Sequence, residues 1–163
     1  MTIDIADTRE TEIVQVTPVI DPKVRAYCKL PYPGHKHGCP NYGKRDVCPP
    51  RAPLLDKLID LTKPVYCIVN KFDLQDHAKV MHTRHPEWSE AQLYCCLYWQ
   101  GKARKQLRLK VESFLENHPG YIALYCPEGS GVDLVATVAQ FGLTFEWPAR
   151  AYAYQVAMVG YGR

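Results

Sequence analysis

Three of the seven cysteines in this 163-residue chain are followed directly by proline: Cys39-Pro40, Cys48-Pro49 and Cys126-Pro127. A proline after a cysteine removes one backbone N–H and stiffens the chain beside a ligand, and a ferredoxin-type cysteine motif ends in the same dipeptide. Thiolates are metal ligands, so the pattern points to a metal ion or an iron–sulfur cluster. Cys28 is the natural fourth ligand, because it opens the loop that holds Cys39 and Cys48. Ten residues separate Cys28 from Cys39 and eight separate Cys39 from Cys48, while Cys126 is distant. Structural zinc sites usually show cysteines paired about two to four residues apart, and no such pair occurs here. The spacing suits an iron–sulfur cluster of the [4Fe–4S] type, with zinc as the alternative.

The stretch from Cys28 to Pro50 holds five of the thirteen prolines and the two closest-spaced histidines, His35 and His37. It is too polar for a core strand, and its prolines and glycines exclude a helix of any length. Between Lys23 and Arg51 stand seven basic residues (Lys23, Arg25, Lys29, Lys36, Lys44, Arg45 and Arg51) and one acid, Asp46. That surplus exceeds the +3 of the whole chain, so this region is electropositive and the remainder slightly acidic. Four thiolates around a cluster leave net negative charge, which these cations can offset.

The other candidates have plainer readings. Cys67 lies in an apolar run and reads as a small buried hydrophobe. Cys95 and Cys96 are adjacent in an expected helix and point about 100° apart, so both do not serve one metal. His35 and His37 can ligate, but the simpler reading leaves them facing solvent or substrate. With Tyr42 they are the nearest groups able to exchange protons with something bound at the site. His82 and His85 read as surface groups because Pro86 follows at once. Gly129-Ser130-Gly131 before a helix is either an anion cradle or a turn with Ser130 as N-cap. Lys102, Arg104, Lys105, Arg108 and Lys110 form a basic helical stretch, either a solvated face or a surface for nucleic acid.

These residues need elements to position them. Residues 12–20 carry β-branched Ile13, Val14, Val16, Val19 and Ile20 and read as a strand, with Pro18 marking an edge or an early end. Asp21 and Pro22 start a short helix that delivers Cys28. Apolar spacing predicts a helix over 50–61, VYCIVNKF a buried central strand, and Asp73 a cap for a helix over 74–82. Ser89 and Gln92 form a capping-box pattern, opening a helix that can run to Asn117 with Gly101 as a weak point. Residues 121–125 form a third strand ending at Cys126, 132–141 a helix and 152–159 a last strand. The alternation predicts a single α/β domain over residues 1–163, with a small, mixed, partly parallel sheet of about four strands. The acidic N-terminus is not a signal peptide, and no apolar run approaches the ~20 residues of a membrane span. An odd number of cysteines without a leader predicts reduced thiols and a cytoplasmic protein.

The segment CKL…GCPNYGKRDVCPP resembles the opening of a prokaryotic family of predicted metal-binding proteins of unknown function, and GYIALYC…GVDLVATVAQFGL resembles that family's distal segment. The resemblance implies that Cys28, Cys39 and Cys48 are ligands and that Cys126 matches the start of a second, ferredoxin-like cysteine group. The further cysteines of that group are absent here, and Pro127 to Gly131 stands in their place. Two functions are expected to compete. One is redox or Lewis-acid chemistry at an iron–sulfur cluster, on a small anionic substrate or with a redox partner. The other is a zinc-stabilised binding module whose basic surface takes nucleic acid or a protein.

Overall fold

The computed structural model describes residues 13–32 and 35–163. The N-terminal segment read above as acidic, and Glu12 of the first expected strand, lie outside the described residues. Four strands form one sheet in the order β1-β2-β4-β3: β1 Ile13–Val16, β2 Val65–Asp73, β3 Tyr121–Leu124 and β4 Tyr152–Tyr161. Every neighbouring pair is antiparallel, which corrects the partly parallel sheet expected from the alternation of strands and helices. The reason is topological. β2 and β3 do run in the same direction, joined by a helical crossover, but β4 enters between them and pairs with both. Met158 sits opposite Cys67 on one side and Leu124 on the other. The parallel pair is split, so no parallel hydrogen bonds form.

The helices are α1 Leu55–Leu58, α2 Leu74–Arg84, α3 Glu90–Leu93, α4 Gln100–Glu116 and α5 Leu134–Ala139. Side chains alternate across the sheet as a strand requires. Ile68, Ala157 and Val159 face α4 and pack with its Leu107, Val111 and Phe114. Cys67, Val69, Val156 and Met158 face the opposite way and pack with Leu55, Ile59, Val132 and Val138. The sheet is therefore covered on both faces. Asn70 fixes α4 against it: this buried side-chain amide lies 2.8 Å from Gln155 Oε1, 3.1 Å from Gln106 Oε1 and 3.3 Å from the Ala103 carbonyl.

The caps are local and follow sequence rules. Asp73 accepts from the Asp76 N–H at 2.9 Å, and the Ser89–Gln92 box closes in both directions. The long helix expected from Ser89 to Asn117 is nevertheless broken. α3 lasts one turn, Cys96–Tyr98 form a 3-10 turn, and α4 begins at Gln100. The break serves Trp99, whose ring stacks on buried Phe72 at 5.4 Å and whose Nε1–H donates to the Tyr94 carbonyl at 3.1 Å. Cys95 and Cys96 lie in this break, Cys95 capping the 3-10 turn that Cys96 opens, and not in one continuous α-helix. The helix over 50–61 shrinks to α1, because Ile59 leaves it to bridge Gly162 beside the sheet.

His77 on α2 carries a pH-dependent stability effect. Its Nε2 is buried with no hydrogen-bond partner among the described residues. Burial first, and Lys102 second, push its imidazole below the ordinary 6.5. Protonation is thus harder in the folded chain than in the unfolded one. Above about pH 6.5 its titration costs nothing, and stability is lost as pH falls from there through the depressed folded value. The melting temperature of wild type should drop between about pH 7 and about pH 5, and His77→Gln should shrink that drop. Equal drops in the two proteins would contradict this reading.

Candidate metal centre

Cys28 is delivered by a 3-10 segment, Pro22–Lys29, capped by Asp21, whose carboxylate accepts from the Lys23 N–H at 3.0 Å. The entry to this segment is pinned to the far end of the chain. Ile20 bridges Val132, the Asp21 N–H donates to the Gly131 carbonyl at 2.8 Å, and the Asp133 N–H donates to the Val19 carbonyl at 2.8 Å. The turn Pro127–Ser130, which follows Cys126, is thereby held against the segment that presents Cys28. The sequence gap between Cys28 and Cys126 is closed by these backbone hydrogen bonds, and the side chains of Thr137 and Gln140 add bonds to the Val19 N–H and to the Thr17 backbone.

Two glycines complete the approach. Gly38 has φ +81°, and a Cβ on it would stand 2.5 Å from the Cys28 carbonyl oxygen. The next N–H, that of Cys39, donates to the same Cys28 carbonyl at 2.7 Å. Gly129 has its Cα against the other ligand loop, where a Cβ would stand 2.7 Å from the Val47 carbonyl oxygen and 3.8 Å from the Cys48 Cα. Gly129 and Ser130 are buried for this reason. Gly131 turns with φ +83°, and the N-cap of α5 is Asp133, not Ser130. The anion-cradle reading of 129–131 gains nothing, since α5 is only six residues long.

The loop is more ordered than its composition suggests. Gly43 N–H donates to Pro49 at 2.7 Å, Cys48 N–H to Arg45 at 3.1 Å and Ala52 N–H to Cys48 at 2.9 Å. The Arg25 guanidinium donates to the carbonyls of Pro50 and Ala52, both at 2.9 Å, tying the 3-10 segment to the chain beyond Cys48.

Cys28 lies within electrostatic reach of Cys39, Cys48 and Cys126, and Cys126 within reach of Cys48. Cys28 is pushed up by burial, then by Cys39, Cys48 and Glu128, with Arg25 opposing. Cys126 is pushed up by burial, then by Glu128 and Cys48, with Arg104 of α4 opposing and Cys28 adding a little. Deprotonating the set places several negative charges together, and that state needs a compensating cation. Glu128 keeps a solvent-facing edge, but the protein packed around it still raises its carboxyl above the ordinary value. Among the described residues, no three His, Cys, Asp or Glu side chains form a group that could hold a metal ion. A tetrahedral zinc with Zn–S of about 2.3 Å needs sulfurs roughly 3.8 Å apart. A cluster distributes its thiolates over several iron atoms, so its ligands stand farther apart. Four thiols are a donor set that either a cluster or a zinc ion can use.

The remaining candidates divide. Tyr42 lies beneath Lys29, whose Nζ is 5.0 Å from the ring centroid. His35 sits 4.6 Å from the Tyr32 ring, and the two residues exchange backbone hydrogen bonds. His37 is exposed. His85 stacks on Trp88 at 4.2 Å. Cys67 is fully buried in the core, and desolvation pushes its thiol up to about 12, so it is unfit as a thiolate ligand. Cys67→Ala should cost about 1 kcal/mol of packing. A chemical-denaturation series would check this, and a loss above about 3 kcal/mol would contradict it. The sequence reading missed Tyr32, Glu128 and the specific role of Arg104. Tyr32 is pushed up by burial, then by Cys39 and Cys96, so it stays protonated beside the loop. Glu128 carried a signal, as the acid two residues after a ligand cysteine. Arg104 was visible only as part of a charge run.

No family model, curated protein or solved structure matches this chain.

Proposed function

We propose that Cys28, Cys39, Cys48 and Cys126 hold an iron–sulfur cluster of the [4Fe–4S] type, and that the protein carries out redox chemistry there, Lewis-acid chemistry requiring that Cys126 leave one iron open. The observation that supports this most is the pairing of residues 19–21 with 131–133, which sets a distant cysteine beside a cysteine loop. When bound, such a cluster supplies one-electron transfer, and an iron left without a thiolate supplies a Lewis acid. The chain's own residues do the rest. Arg25 and Arg104 oppose the negative charge at Cys28 and Cys126. Tyr32, protonated, can donate to a bound anion, and Glu128 can hold or release a proton near Cys126. We place the protein in the cytoplasm, where its seven free cysteines stay reduced. Among the described residues, no helix is long and apolar enough to cross a membrane.

Protein purified without oxygen from iron-replete cells should be brown and contain both iron and acid-labile sulfide. Stoichiometric zinc without sulfide would overturn the proposal in favour of a zinc-stabilised binding module.

A further inference from the structure

The surroundings of the four cysteines carry two features that ligation does not use. The first is exposed apolar surface. Tyr27, Leu30, Val47 and Tyr125 each stand within two residues of a ligand cysteine and are 43–66% exposed. Tyr32, coupled to Cys39, is 39% exposed. Isolated exposed apolar residues are normal, but a group of them around one site marks an interaction surface. The second feature is charge. Lys36, Lys44 and Arg45 are exposed on the loop, and Arg104 and Arg108 approach from α4, one to Cys126 and the other over the Tyr125 ring at 5.9 Å. Two separate elements thus supply cations around an apolar centre, and Cys126 itself is exposed within it.

We propose that this surface docks a small acidic electron-transfer protein, an inference that rests on the cluster reading above. An apolar centre with a charged rim is the common anatomy of a protein interface, and opposite charge speeds the encounter. Docking would let one electron pass from the partner's reduced iron centre, which would be oxidised, to a cluster held by Cys28, Cys39, Cys48 and Cys126, which would be reduced. No bond forms or breaks. Nucleic acid fits less well. Tyr27, Tyr32 and Tyr125 offer rings for bases, but Leu30 and Val47 do not, and the exposed acids Asp46, Glu112 and Glu128 stand beside Arg51, Tyr125 and Cys126, where they would repel a phosphate backbone.

The test uses protein whose iron and sulfide content has been measured, with an oxidised, acidic plant-type [2Fe–2S] ferredoxin as the probe. Calorimetric affinity should fall at least about tenfold between about 25 mM and about 300 mM salt. The triple charge reversal Lys36→Glu, Lys44→Glu and Arg45→Glu should weaken binding at low salt by about tenfold while the cluster absorbance is kept. Lys79→Glu, on the exposed face of α2, should change it less than about twofold. Cluster-loaded protein that does not bind the ferredoxin, or binds it without salt dependence, would overturn the docking proposal. Tighter binding of a single-stranded oligothymidylate would overturn it in favour of nucleic acid. If the protein carries no iron, the cluster reading fails, whereas the binding data still judge the surface.

Discussion

Gly129→Ala is expected to leave the protein folded and strip most of its iron. The new methyl group would stand 2.7 Å from the Val47 carbonyl oxygen and 3.5 Å from Pro49 Cδ, so the turn after Cys126 must back away from Cys48. Overpacking of this kind costs about 1–3 kcal/mol. The core can absorb that, because Val132, Leu134 and Val138 stay packed under the sheet. Gly38→Ala should do more. It combines a φ of +81° with a Cβ 2.5 Å from the Cys28 carbonyl oxygen, and neither can relax without moving Cys28 or Cys39. A left-handed backbone alone costs an alanine about 1–2 kcal/mol. Gly101→Ala is the control: it lies in the first turn of α4 with nothing within 4 Å of a new Cβ. It should keep its iron and gain up to about 1 kcal/mol of stability. Iron content and thermal unfolding, measured on all three, decide the matter. Full iron in both Gly38→Ala and Gly129→Ala would show that these contacts do not set the ligands' positions.

The second large effect concerns inequality among the ligands. Cys28 lies in the last turn of a 3-10 segment and Cys39 and Cys48 lie in the turns that follow it, so a bound cluster's binding energy is in part the ordering energy of those turns. Alanine at any of the three should abolish cluster binding. The loop should loosen without melting, since Arg25 and the turn hydrogen bonds remain. Cys126 follows β3, whose position comes from pairing with β4 and from burial. Cys126→Ala should keep the wild-type melting temperature of the apoprotein and retain a fraction of the visible absorbance, as a three-cysteine site with one iron open to ligands. Total loss of iron together with unfolding in Cys126→Ala would contradict this division.

How much of this was legible in the sequence depends on the range of the interaction. Caps and boxes are local: Asp73 and the Ser89–Gln92 pair could be read directly, and so could the apolar run of β2. The fully buried Cys67 followed from that same run. Strand direction is not local. Nothing in residues 152–161 announces that they insert between β2 and β3, so alternation suggested parallel neighbours where antiparallel ones exist. The break at Trp99 was missed for a similar reason, because its cause is Phe72, far away in the chain. At the site, cysteine and proline marked the candidate ligands, but not what brings them together. That task falls to Gly38 and Gly129, whose missing side chains matter only because another loop's carbonyl stands where a Cβ would be. Arg104 reads as solvated charge until Asn70 fixes the rotation of α4.

The central claim is that one site uses Cys28, Cys39, Cys48 and Cys126 and not the other cysteines. The most direct measurement is iron content and visible absorbance of Cys28→Ala and Cys67→Ala, purified without oxygen side by side with wild type. Cys28→Ala should be colourless and iron-free, and Cys67→Ala should match wild type in both readings. A bleached Cys67→Ala beside a brown Cys28→Ala would contradict the ligand set.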